Sequence, residues 1–158
     1  MDRDIARIFK QYVSPDALKA LADGRQDTRS LTPSLVEFIL VFVRADTPEQ
    51  VSELMGRIVD VGAEHGALSH DLVSSLVVLA YGTHPTQSKS SSSRTTLVEA
   101  LQQQFGSDLK IVHGAVNGHY GNIGSSTRMS FSFIIPRFDV ALVALGRLGF
   151  GQVEEFEP

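Results

Sequence analysis

Leu35 to Val43 is a nearly unbroken apolar run, rich in β-branched and aromatic side chains. Such a run reads as a strand buried on both faces. A strand of that kind needs neighbouring strands for its backbone groups and further layers to cover it. Leu76 to Tyr81 repeats the pattern. These two segments tie the chain to a sheet, and amphipathic helices elsewhere must supply the cover.

The remaining elements follow from periodicity and stop signals. Ile5, Ile8, Phe9 and Tyr12 share one helical face. Ser14-Pro15-Asp16 restarts a helix that Gly24 ends, giving a helical segment over 1–24. Residues 25–34 read as a polar linker closed by Pro33. Thr47-Pro48-Glu49-Gln50 is a helix start, followed by a stripe of Val51, Leu54, Met55, Ile58 and Val59 that Gly62 or Gly66 stops. A short strand at 67–73 makes a hairpin with Leu76–Tyr81. Residues 83–95 read as a mobile polar surface loop. Leu97, Val98, Leu101 and Phe105 mark the next helix, ended by Gly106. Leu109 to Val116 is a strand, a glycine-rich segment follows, and Met129 to Ile135 is its antiparallel partner. Pro136 opens a last helix with Phe138, Ala141, Leu142 and Leu145 inward, and Gln152 to Phe156 adds an edge strand. The expected order is helix, then β-α-β-β-α-β-β-α-β. That order predicts one α+β domain over 1–158, a ferredoxin-like mixed sheet carrying helices on a face.

Composition removes several classes. A net charge of −4 does not suit a phosphate-backbone binder, so no nucleic-acid partner is expected. With no cysteine, thiolate metal sites and cysteine nucleophiles are excluded. The longest apolar run, Phe38 to Val43, is too short to span a bilayer, so no membrane partner is expected and the chain reads as cytoplasmic. The histidines at 65, 70, 84, 113 and 119 show no zinc-binding spacing, and His113 and His119 read as edge or surface residues flanking the hairpin.

Gly118, Gly121 and Gly124, with Asn122 among them, suit positive-φ turn positions between two strands. The wider run carries more information. His113-Gly-Ala-Val-Asn-Gly118, Gly121-Asn-Ile-Gly-Ser125 and Arg128-Met-Ser-Phe-Ser132 resemble the hairpin signature of class III adenylate and guanylate (nucleotidyl) cyclases. Tyr12-Val-Ser-Pro15 is similar to the helix that precedes those domains. Val41-Phe42 and Leu79-Ala-Tyr-Gly82 fall where the family has two of its strands.

The resemblance implies a cyclase-type fold and a phosphoryl transfer supported by two metal ions at a dimer interface. It also implies that the chemistry is lost. Counting along the motifs puts Arg44 and Ser75 at the two metal-binding carboxylate positions. Asp71 falls at the base-recognising lysine, Asp139 at the transition-state asparagine and Val143 at the phosphate-binding arginine. Ser132 keeps a polar group at the base-selecting position. Hard divalent cations need carboxylate oxygens, which neither arginine nor serine supplies. Valine cannot pair with phosphate.

The chain therefore reads as a catalytically silent cyclase homologue with no metal and no cofactor. As a dimerisation or regulatory module, its partner is a second copy or another protein. The alternative is a nucleotide or small-anion sensor in which Arg44 meets the anion and Ser132 the base. A swapped ion pair, Arg44 with Asp71 or Asp139, is a further expectation. On any of these readings Gly118, Gly121, Asn122, Gly124 and Arg128 are hairpin architecture.

Overall fold

The apolar run lies at the centre of a six-stranded sheet. The computed structural model describes residues 31–85, 93–124 and 129–157. The helical segment expected over 1–24 and the hairpin residue Arg128 lie outside them. The described elements are β1 (Leu31–Val43), α1 (Pro48–Glu64), β2 (Leu68–Val73), β3 (Leu76–Tyr81), α2 (Ser93–Phe105), β4 (Leu109–Gly124), β5 (Met129–Ile134), α3 (Phe138–Arg147) and β6 (Val153–Phe156).

The strand order is β2-β3-β1-β4-β5. β1 pairs antiparallel with β3 on one side and with β4 on the other. This is the split β-α-β-β-α-β arrangement of ferredoxin-like folds, extended by two strands. β4 is long enough to serve two neighbours on its far side. Its first half, Ile111–Gly114, pairs parallel with Val153–Phe156 of β6, and its second half, His119–Gly124, pairs antiparallel with β5.

Alternation along β1 separates two cores. Ile39, Val41 and Val43 join Val77, Leu79 and Ile111 beneath α1 and α2. Phe38 and Leu40 join Val78, Val112, Phe156 and α3 on the other face. Helices therefore cover both faces, where the sequence reading placed them on one. The cause is the run itself, since no polar alternation leaves either side of β1 fit for water.

Other expectations need correction. β1 begins at Leu31, so the supposed linker through Pro33 is strand. Pairing with β3 stops at Glu37, which leaves residues 31–36 with a partner only in β4, a setting where proline is tolerated. The predicted surface loop is buried at its start, at Thr83 and His84, and is already helix from Ser93. Residues 86–92 between them lie outside the described set. Pro136 sits in a turn, and α3 starts at Phe138. Ala141 and Leu145 face inward one turn apart, whereas Leu142 is 37% exposed because it is rotated off that stripe. The segment with Gly118, Gly121 and Gly124 is not a turn but the second half of β4.

Candidate functional site

Three chain segments converge where β1 leaves the sheet. The Val43 N–H donates to the Ser75 carbonyl at 2.9 Å, and the Arg44 N–H donates to the Asp108 carbonyl at 2.8 Å. α1 begins a few residues later. Thr47 Oγ1 accepts from the Gln50 N–H at 3.2 Å, and Gln50 Oε1 accepts from the Asp46 N–H at 3.0 Å. The first satisfies an orphan donor of the helix's first turn, and the second ties the loop that holds Arg44 to Asp46 onto the helix. The result is an open groove of about 800 Å³, lined by Asp46, Ser52, Met55, Leu72 and Ser75 among others.

Ser75 lines this groove and Arg44 does not. The Arg44 guanidinium turns the other way, 4.0 Å from Asp108 and 5.1 Å over the Phe150 ring. The Arg44 and Asp108 side chains are each about half exposed, so their pairing is weak. The expected swap with Asp71 or Asp139 is replaced by this contact, because Asp71 points into a separate cavity. Asp46 is the groove's one ionisable lining residue, and counting along the motif did not single it out. The signal available was Arg44-Ala45-Asp46 directly before a helix cap.

The second concavity, about 250 Å³, unites Asp71, Ser132, Val78, Phe133, Ile135 and Phe138. Asp71 and Ser132 come from β2 and β5, at opposite ends of the strand order. His70 bridges these edges. A ring nitrogen is 2.7 Å from Thr83 Oγ1, and the ring meets Phe133 edge-on at 5.0 Å. His84 packs on Phe131 at 5.5 Å beside it. Burial holds the His70 pKa down to about 4; a hydrogen bond to the Phe131 backbone opposes this and His84 adds to it. Asp139 and Val143 lie on the exposed side of α3, outside the lining of this cavity.

The hairpin residues hold β5 against β4. A Cβ on Gly118 would lie 2.5 Å from the Ile134 carbonyl oxygen and 2.9 Å from Ile135 Cγ2, so only glycine lets β5 close on β4 there. Of the three hairpin glycines, Gly121 is the one with positive φ, 149°, and it lies opposite Ser132. Asn122 pairs with Phe131, and Gly124 pairs with Met129.

A third polar cluster lies under α2. Arg94 reaches Glu37 of β1 at 3.9 Å and Glu155 of β6 at 3.3 Å. Burial raises the Glu37 pKa, opposed by Arg94, and burial lowers that of His113, helped by Arg94. His113 is thus a buried residue, not an edge one, while His119 is exposed. Glu37 within an apolar run was the sequence signal for a buried partner. Among the described residues no three His, Asp or Glu side chains converge as a metal site. None of the described helices is long and apolar enough to cross a membrane.

No family model and no curated protein matches the sequence. Solved structures do match in shape. A bacterial light-regulated adenylyl cyclase superposes over 94% of this chain and 51% of its own, at 12% identity and a TM-score of 0.69. The adenylyl cyclase CyaB from P. aeruginosa matches over 78% of this chain and 77% of its own, at 13% identity and 0.55. The guanylate cyclase domain of RhGC from Catenaria anguillulae, solved with GTP, matches over 77% and 78%, at 10% identity and 0.59. Similarity at such low identity is a statement about fold. The mixed sheet and three helices described above therefore share the fold of adenylyl and guanylyl cyclase domains.

Proposed function

We propose that this chain is a catalytically silent domain of cyclase fold that works as a regulatory module by pairing with a second copy of itself. The observation that carries this reading is the groove at the end of β1. Where two metal-binding carboxylates are expected from the resemblance, the sequence has Arg44 and Ser75. Arg44 is turned toward Asp108, and the groove lining holds a single carboxylate, Asp46. One carboxylate is too few to hold two hard cations without most of their charge uncompensated. Pairing is supported by exposed apolar side chains on elements flanking both concavities: Leu72 and Val73 of β2, Ile134 of β5, and Val140 and Val143 of α3.

The nucleotide or small-anion sensor draws less support. Its anion ligand, Arg44, is turned away from the groove toward Asp108 and Phe150, and its base contact, Ser132, shares a cavity with the carboxylate of Asp71. Two measurements test the main reading. Sedimentation is expected to give a dimer, and incubation with ATP or GTP and Mg²⁺ or Mn²⁺ is expected to give no cyclic nucleotide. Product that disappears in Asp46→Asn would overturn the silent reading and identify Asp46 as a metal ligand. A monomer at all accessible concentrations would overturn the pairing.

A further inference from the structure

The cavity between β2 and β5 has a chemistry of its own. Its walls are Val78, Phe133, Ile134, Ile135 and Phe138, and its polar lining is Ser132, His70 and Asp71. Asp71 is exposed, so its carboxylate sits at the opening while the apolar groups form the interior. One Asp71 oxygen accepts the Leu72 N–H at 3.0 Å, which orients the group. Among the described residues no lysine or arginine lines the cavity. The Phe133 and Phe138 rings meet edge-on, 6.5 Å apart.

This enclosure is held in place. Its two walls belong to strands that are not neighbours in the sheet, and His70 ties them through Thr83 and the Phe133 ring. The imidazole is occupied by those contacts and stays a fixed part of the wall.

Three ligand classes fit badly. A phosphate or carboxylate would meet Asp71 with no cation among the described lining residues to offset the repulsion. A bare divalent ion would exchange its water shell for one carboxylate and hydrocarbon. A neutral apolar molecule would cover the carboxylate with nothing to replace its water. A body of hydrocarbon with one ammonium group fits both parts, with aromatic faces adding attraction for the cation.

We propose that this cavity is a binding site for a small organic monocation, its ammonium at Asp71 and Ser132 and its apolar body among Phe133, Ile135 and Phe138. The site lies where the resemblance puts base recognition, at Asp71 and Ser132, but its reversed charge takes a different class of ligand, and its lining comes from one chain.

Phenethylammonium is the probe, 2-phenylethanol its uncharged counterpart, and AMP the nucleotide comparison. Calorimetry on the full chain at pH 7 is expected to show saturable binding of the ammonium at least about tenfold tighter than of the alcohol, as a charge-assisted hydrogen bond gives. Asp71→Asn should erase that preference, and Asp60→Asn, on the exposed face of α1, should leave it intact. Ring-proton shifts of Phe133 and Phe138 in the unaltered chain locate the ligand without a variant. Equal binding of the alcohol, tighter binding of AMP, a preference that survives Asp71→Asn, ring protons that do not move, or no binding each overturns the proposal.

Discussion

His70 shows what one side chain does in this fold. Its ring is enclosed between the two sheet edges and its pKa falls from 6.5 to about 4, chiefly through burial. Between those values an unfolded chain takes up a proton that the folded chain refuses, so stability is full above about 6.5 and is lost as pH falls toward 4. At 1.36 kcal/mol per pH unit, the loss from this group is on the order of 3 kcal/mol at most. Buried His113, whose pKa is also lowered, adds in the same direction. Urea unfolding at pH 7, 5.5 and 4.5 is expected to show the decline, and His70→Gln should flatten much of it. An unchanged pH dependence in that variant would mean the ring is solvated. Gly118 is the second decisive residue. Gly118→Ala places a methyl against the Ile134 carbonyl and Ile135, and should lower the urea-unfolding free energy by about 1–3 kcal/mol.

Elements, too, depend on a few local bonds. α1 starts where Thr47, Pro48 and Gln50 arrange the exposed donors of its first turn. Thr47→Ala should cost about 1 kcal/mol, read as a lower denaturation midpoint with an unchanged slope. The same variant frees the Arg44–Asp46 loop, so it should also increase amide exchange at Ala45 and Asp46. α2 is held differently, by Arg94 spanning the carboxylates of Glu37 and Glu155 and by Tyr81. The Tyr81 hydroxyl lies 3.4 Å from the Ser93 carbonyl at the start of α2 and 2.7 Å from the His65 carbonyl at the end of α1, and burial, with Glu37 adding to it, raises its pKa to about 12. These contacts join α2 to β1, β3 and β6, so the helix cannot shift without disturbing the sheet's centre.

For the whole molecule, the sheet's second face is the feature with most consequence. α3 covers β1 and β4, while Val73, Val140 and Val143 remain more than a third exposed. Scattered apolar residues are common on surfaces, but Val73 follows Leu72 of the groove, and Val140 and Val143 share α3 with Phe138 of the cavity. If the proposed pairing uses that surface, Val143→Asp should weaken the dimer at least about tenfold, as burying an unpaired charge would. Thermal unfolding of the isolated chain should hardly change, because Val143 is 53% exposed. Sedimentation across a concentration series checks the first outcome and calorimetry the second.

Much of this was legible in the residues. The Leu35–Val43 run determined a strand covered on both sides, the Thr47-Pro48 start was capped as its pattern implied, and the element order led to a ferredoxin-like sheet. Those features are local, set by side-chain period and backbone donors within a few residues. Tertiary structure decided the rest. That Gly118 serves close packing rather than a turn depends on Ile134 and Ile135 across the hairpin. That Arg44 meets Asp108 rather than Asp71 depends on which way a loop leaves β1. That Asp71 and Ser132 share one cavity depends on β2 and β5 meeting through His70 and Phe133 although they are not neighbours in the sheet. Each joins residues that are far apart in the chain, and no local periodicity encodes a distance of that kind.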